Sequence, residues 1–135
     1  MKIDGLRFDG DVHSLPWRET QVEGVFWIPL HLDDWDDPEA HTKGRARGGG
    51  SVLIRMDPGC GYPAHRHAGS EDVLVLRGSY TDEFGAHREG DFVHYAGGTA
   101  HGPVAGGVPG APLSDENPAC VLYASAHEGI ELLGE

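Results

Sequence analysis

Pro58 to Tyr80 reads PGCGYPAHRHAGSEDVLVLRGSY. His65 and His67 stand two residues apart, Glu71 follows four later, and the apolar run Val73 to Leu76 comes directly after. Side chains of an extended chain alternate between faces, so His65 and His67 share one. Glu71 has the same parity and joins them if the chain stays extended through Ala68, Gly69 and Ser70. Two neutral imidazoles and a carboxylate suit a divalent ion such as iron, zinc, manganese, cobalt or nickel. No cysteine stands in the cluster, which disfavours a closed thiolate site. A polar loop without any ligand would carry the same residues, so a further ligand from another strand is needed. His101, after YAGGTA, is the candidate.

Outward from this stretch the apolar runs stay short. VEGVFWIPL (Val22 to Leu30), SVLIRM (Ser51 to Met56), DVLVLRG (Asp72 to Gly78), DFVHYA (Asp91 to Ala96) and CVLYASA (Cys120 to Ala126) are rich in β-branched and aromatic residues. Gly or Pro bounds most of them, which predicts strands. Gly78 to Asp91 predicts a further strand and a turn. His31 to Ala40, HLDDWDDPEA, reads as a single helical turn or an acidic loop, and no window carries a helical stripe with caps. Ala40 to Gly50 reads as a basic loop, and Ala105 to Ala119 as a long Gly/Pro loop of a length often tied to function. The 21 glycines and 9 prolines are scattered between the runs. The expectation is one all-β domain over residues 1–135, a barrel or sandwich.

The chain has 135 residues, with 10 Lys+Arg against 22 Asp+Glu, a formal charge of −12. Such a surface repels phosphate backbones and anionic lipid, so neither nucleic acid nor membrane is an expected partner. No apolar run approaches the roughly 18 residues of a membrane span. The N-terminus MKIDGLRFDGD lacks the apolar core of a secretory signal. Cys60 and Cys120 form no disulfide framework and no zinc-finger spacing, and read as free thiols of a cytoplasmic protein.

Gly59-x5-His65-x-His67-x3-Glu71-x6-Gly78 resembles the first cupin motif at every position, and Gly90-x5-Ala96-x-Gly98-x2-His101 resembles the second. Ala96 and Ala105 stand where cupins usually carry Pro and Asn, neither of them a metal ligand. The resemblance covers about Val52 to Val104. It implies a jelly-roll β-barrel in which His65, His67, Glu71 and His101 hold one divalent metal. Iron is the first expectation, with zinc, manganese, nickel or cobalt as alternatives. Gly69 to His101 is most similar to the ChrR-like cupin group, which contains an anti-sigma factor's C-terminal domain and an acetylacetone-cleaving dioxygenase. Three imidazoles and one carboxylate leave about two positions open on a six-coordinate ion. That suits a small oxygen-rich substrate, so the resemblance implies a metal-dependent dioxygenase of an enolisable or diketone-like compound. The alternatives are a non-catalytic zinc-binding sensor, or a barrel that binds a small molecule around a structural metal. Strand-like sequence begins almost directly, so the anti-sigma role is not expected to carry over.

Other residues have weaker readings. Glu71 could orient an imidazole instead of ligating. Arg55, Arg77 and Tyr80 could line the barrel or sit at the surface, and Tyr62 could cover the site or only pack. His87 and His94 are expected outside the ligand set, and His13, His31, His41 and His127 at the surface. Cys60 has no partnering base, and Cys120 should pack in the last strand. Gly44 to Ser51 has a phosphate-loop frame, but Gly50 replaces its lysine, which rules out nucleotide binding. Trp17, Trp27 and Trp35 read as core or interface. Val73 to Leu76 is apolar on both faces, so its outer face calls for a cover; a second sheet or a partner subunit would serve, and the resemblance to cupins implies a homodimer.

Overall fold

A computed structural model of the chain describes residues 11–32, 48–128 and 130–132. Apart from a 3-10 turn at Val12–Ser14, its regular elements are strands. They are β1 (Arg18–Glu19), β2 (Val25–Leu32), β3 (Gly48–Met56), β4 (His65–His67), β5 (Glu71–Arg77), β6 (Ser79–Asp82), β7 (Gly85–Arg88), β8 (Phe92–Tyr95), β9 (Ala100–His101), β10 (Val104–Ala105), β11 (Cys120–Glu128) and β12 (Ile130–Leu132). A six-stranded sheet has the order β1-β2-β3-β11-β5-β8, and two three-stranded sheets have the orders β10-β6-β7 and β12-β4-β9. Every pairing is antiparallel. This is the all-β, jelly-roll architecture expected from the sequence.

Period-2 alternation builds the core. In the large sheet Leu122 of β11 lies opposite Ile54 of β3 and Val75 of β5. Val73, Val75, Leu122, Ala124, Val25 and Met56 turn inward together and meet Tyr80 and Tyr95 in one buried cluster. The alternate residues turn outward. Leu74, opposite Tyr123 and Phe92, is 39% exposed, and Phe92 is 65% exposed. The apolar run Val73 to Leu76 is therefore buried on one face and only partly covered on the other.

Several strand boundaries differ from the sequence expectation. Val22 to Gly24 form a turn, with Gly24 at φ +76° and the Val25 N–H donating to the Val22 carbonyl at 3.2 Å, so β2 starts later. It runs on to Leu32 past an irregularity between Pro29 and His31. Proline cannot donate to a ladder, and a bulge beside it relieves that. The expected basic loop ends at Gly48, where β3 begins. A Cβ on Gly49 would lie 2.3 Å from the Ala126 carbonyl oxygen, so only glycine lets β3 run this close to β11. The rest of that loop, and the stretch 33–40 with Trp35, lie outside the described residues. Gly78 to Asp91 forms a hairpin of two strands, β6 and β7, around Glu83 and Phe84.

Two first-motif glycines have structural causes. Gly78 has φ +70°, and a Cβ there would lie 2.5 Å from the Ala119 carbonyl oxygen. Gly59, at φ +79°, leaves no room for a Cβ beneath Pro109. A left-handed backbone combined with a collision, against backbone at Gly78 and against the Pro109 ring at Gly59, selects glycine. Pro109 belongs to the long loop, which Asn117 knots together: its Oδ1 accepts from the Val108 N–H at 2.8 Å and its Nδ2 donates to the Val108 carbonyl at 3.2 Å.

Candidate metal centre

The site forms where the three sheets meet. In β4 the burial pattern is buried, exposed, buried, so His65 and His67 face inward with Arg66 outside. β9 pairs with β4 in a register that sets His101 directly opposite His65. Cross-strand partners on one face lie about 5 Å apart. The His65 ring centroid is 4.6 Å from that of His101, and His67 is 4.9 Å from each of the other two. One nitrogen from each of the three lies within 4.8 Å of the others. Glu71 opens β5 in the large sheet and reaches across, with Oε1 3.1 Å from His67 Nε2. It stands at the edge of the three-histidine set.

The ring nitrogens are arranged for an ion. His65 Nδ1 lies 3.0 Å from the Pro63 carbonyl oxygen and donates to it, which leaves Nε2 as the acceptor. His65 Nε2 lies 3.1 Å from His67 Nε2. Two donors about 2.1 Å from one ion, at right angles to each other, stand about 3 Å apart. His101 Nε2 and His67 Nδ1 are buried without a hydrogen-bond partner. Buried polar atoms are almost always paired, and an ion on His101 Nε2 supplies its missing partner. These residues fit a divalent metal.

Burial disfavours the charged imidazole and lowers the His65 pKa to about 4. The neighbouring His101 and His67 push the same way, while the Pro63 hydrogen bond and Glu71 oppose. At neutral pH the ring is neutral and its lone pair available. The sign of the linkage is fixed by this direction: between about pH 6.5 and 4 the unfolded chain binds the proton and the folded one does not. Metal-free protein should therefore lose on the order of 3 kcal/mol of stability on acidification through that window, with no further loss from His65 below it. Urea midpoints of the chelated protein measured at successive pH values check this, and His65→Gln should flatten that part of the profile.

Behind the histidines stands a residue that the sequence reading missed. The Asp82 carboxylate, at the end of β6, has no exposed surface. Its Oδ2 accepts from His101 Nδ1 at 2.9 Å and from the Tyr95 hydroxyl at 2.5 Å. Its Oδ1 accepts from the Phe84 N–H at 2.9 Å and from His87 Nε2 at 3.1 Å. Burial alone would raise its pKa, but the hydrogen bonds from Tyr95, His101, Phe84 and His87 outweigh it and hold the carboxyl at about 2. The Tyr95 ring packs 4.3 Å from His101 and 5.3 Å from His67, and its hydroxyl lies 2.6 Å from that of Tyr80. A signal was present: Tyr80 and Asp82 share strand parity, so an inward Tyr80 carries Asp82 inward with it.

The remaining candidates separate clearly. Tyr80 is buried in the barrel, and Tyr62 sets its ring edge against His65 at 5.3 Å. Arg55 does not line the interior: it pairs with Asp57 at 2.9 Å and covers the Phe26 ring. Arg77 pairs with Asp115. His87 serves Asp82, and His94 pairs with Asp72 at 2.6 Å, outside the cluster. His31 and His127 are exposed, and His41 lies outside the described residues. His13, expected at the surface, is partly buried, and its Nε2 accepts from the Ala119 N–H at 3.3 Å. Both cysteines are free. Burial raises the Cys120 pKa to about 12, and burial with the charges of Asp57 and Glu23 raises that of Cys60, so neither is an activated thiolate.

The family model for the ChrR cupin-like domain matches residues 7–111. The chain belongs to the ChrR cupin-like family. Solved structures place the same fold around this cupin. A structure of Rhodobacter sphaeroides SigE in complex with the anti-sigma ChrR matches with a TM-score of 0.61 and 24% identity, covering 86% of this cupin and 50% of that chain. The cupin thus spans half the length of that protein. An RmlC-like cupin from Ralstonia eutropha matches with a TM-score of 0.65 and 19% identity, covering 93% of this chain and 71% of that one. An acetylacetone dioxygenase from Acinetobacter johnsonii matches with a TM-score of 0.65 and 12% identity, covering 100% and 83%. No curated protein matches. Among the described residues no helix is long and apolar enough to cross a membrane.

Proposed function

We propose that this cupin holds one divalent metal on His65, His67, His101 and Glu71, and that it is a dioxygenase of a small enolisable or diketone-like substrate with iron as its working metal. The observation that carries the reading is His101 Nε2, buried and partnerless among two further imidazoles. The donor set supports an open site: a closed structural site would fill its positions with protein ligands, typically cysteines. Likeness in fold to an acetylacetone dioxygenase over the whole chain agrees with that class of substrate.

A divalent ion bound there would act as a Lewis acid toward substrate oxygens and, as iron, would supply dioxygen chemistry. The chain's own residues prepare that site. The Pro63 carbonyl fixes the His65 ring by its Nδ1–H. Glu71 brings a negative charge beside His67 that offsets part of an ion's charge. The rings of Tyr62 and Tyr95 lie against the histidines and keep water from that side. Two free thiols agree with a cytoplasmic protein. A homodimer that covers Leu74 and Phe92 belongs to the same reading.

A second reading is a non-catalytic zinc sensor, favoured by the family match and by the likeness to the complex containing ChrR. Elemental mass spectrometry of protein purified without tag or chelator, followed by oxygen-uptake assays with β-diketones, separates the two. About one iron per chain with diketone-dependent oxygen consumption is expected. One zinc per chain, and no oxygen uptake after iron reconstitution, would favour the sensor. No metal under any loading condition would overturn both.

A further inference from the structure

We propose that Asp82 is the positioning residue of the metal centre: it holds His101 as the Nδ1–H tautomer and so presents Nε2 as a bare lone pair. The inference rests on the metal reading above and deepens it. An ionised carboxylate only accepts hydrogen bonds. Each of its four partners, His101 Nδ1, the Tyr95 hydroxyl, the Phe84 N–H and His87 Nε2, must therefore donate. His101 Nδ1 thus carries the proton, and in a neutral ring Nε2 carries none. That is the nitrogen left buried without a partner.

The same logic orders the tyrosines. The Tyr95 proton points to Asp82, so the Tyr80 hydroxyl donates to Tyr95 across their 2.6 Å contact. With two donors on each oxygen, the carboxylate cannot turn without breaking contacts to both β8 and β9. The Tyr95 ring, held by this bond, packs against His101 and His67 together. Asp82 thereby sets the orientation of His101 and braces the wall behind two of the three imidazoles. A carboxylate behind a ligating histidine fixes tautomer and ring orientation in this way, and its loss typically weakens metal binding by about 10–100-fold.

The test is nitrogen–proton correlation NMR on 15N-labelled, metal-free protein at neutral pH, with His101 assigned by the signal lost in His101→Gln. Wild type should show His101 with its proton on Nδ1. In Asp82→Asn that preference should be lost, and the Co2+ dissociation constant, from chelator competition, should rise about 10–100-fold. Glu89→Gln removes an exposed charge in the turn after β7 and should change neither quantity. An Nε2–H tautomer in wild type overturns the proposal without any variant, even if Asp82→Asn fails to fold. An unchanged tautomer and affinity in folded Asp82→Asn overturn it as well. If wild type takes up no Co2+ while the tautomer shifts as expected, Asp82 keeps its positioning role and the metal reading is the one that fails.

Discussion

His101→Ala is expected to abolish stoichiometric binding of a divalent metal, and His65→Ala to do the same. These two imidazoles come from strands paired side by side, and with His67 they form the mutual set of donors within 4.8 Å. Removing one leaves two imidazoles and an edge carboxylate. It also leaves the Asp82 carboxylate without one donor, or the Pro63 carbonyl without its partner. The loss should exceed the roughly 10–100-fold that deleting an outer partner costs. His94→Ala, which removes an exposed imidazole paired with Asp72, should keep one metal per chain. Should both His65→Ala and His101→Ala keep a full complement, the site is assigned to the wrong residues. Glu71→Gln adds the finer distinction: weaker binding with an altered Co2+ absorption spectrum is expected of a ligand, whereas an unchanged spectrum would put Glu71 behind His67 and outside the coordination sphere.

The largest expected effect on stability is at Leu122. It lies on the inner face of β11, between Ile54 of β3 and Val75 of β5, and is 5% exposed. Leu122→Ala opens a cavity at the centre of the large sheet and should cost about 2–5 kcal/mol. Leu74→Ala removes the same atoms from the outer face of β5, where the residue is 39% exposed, and should cost well under half as much. Urea denaturation of the two variants in parallel checks the inward and outward assignment of the whole sheet. Equal losses would mean that the outer face is covered in solution, as a homodimer would do, and the Leu74→Ala midpoint would then depend on protein concentration.

The five apolar runs were legible because strand burial follows a local period of two, and the structure keeps them all as strands. Their ends were less legible. Gly48 to Gly50 read as loop because glycine has weak strand propensity, yet close approach to β11 requires glycine at Gly49 and close approach to β2 requires it at Gly50. β9 and β10 are too short to carry a period at all. The ligand candidates were legible in a mixed way. His65, His67 and Glu71 share strand parity, and His101 was the candidate from another strand; the motif spacing then supported Glu71 and His101. Asp82 was overlooked because an acidic residue in a short hairpin ordinarily faces water.

By itself the sequence determined a turn-rich all-β chain with two imidazoles on one face of a strand, since alternation of side chains is a property of neighbouring bonds. Only the tertiary structure decided the rest. Register between β4 and β9 set His101 opposite His65, and the meeting of separate sheets brought Glu71, Tyr95 and Asp82 to the same point. Which strands pair, and where they start, depends on how the whole apolar set is buried at once, and no short stretch of chain contains that information.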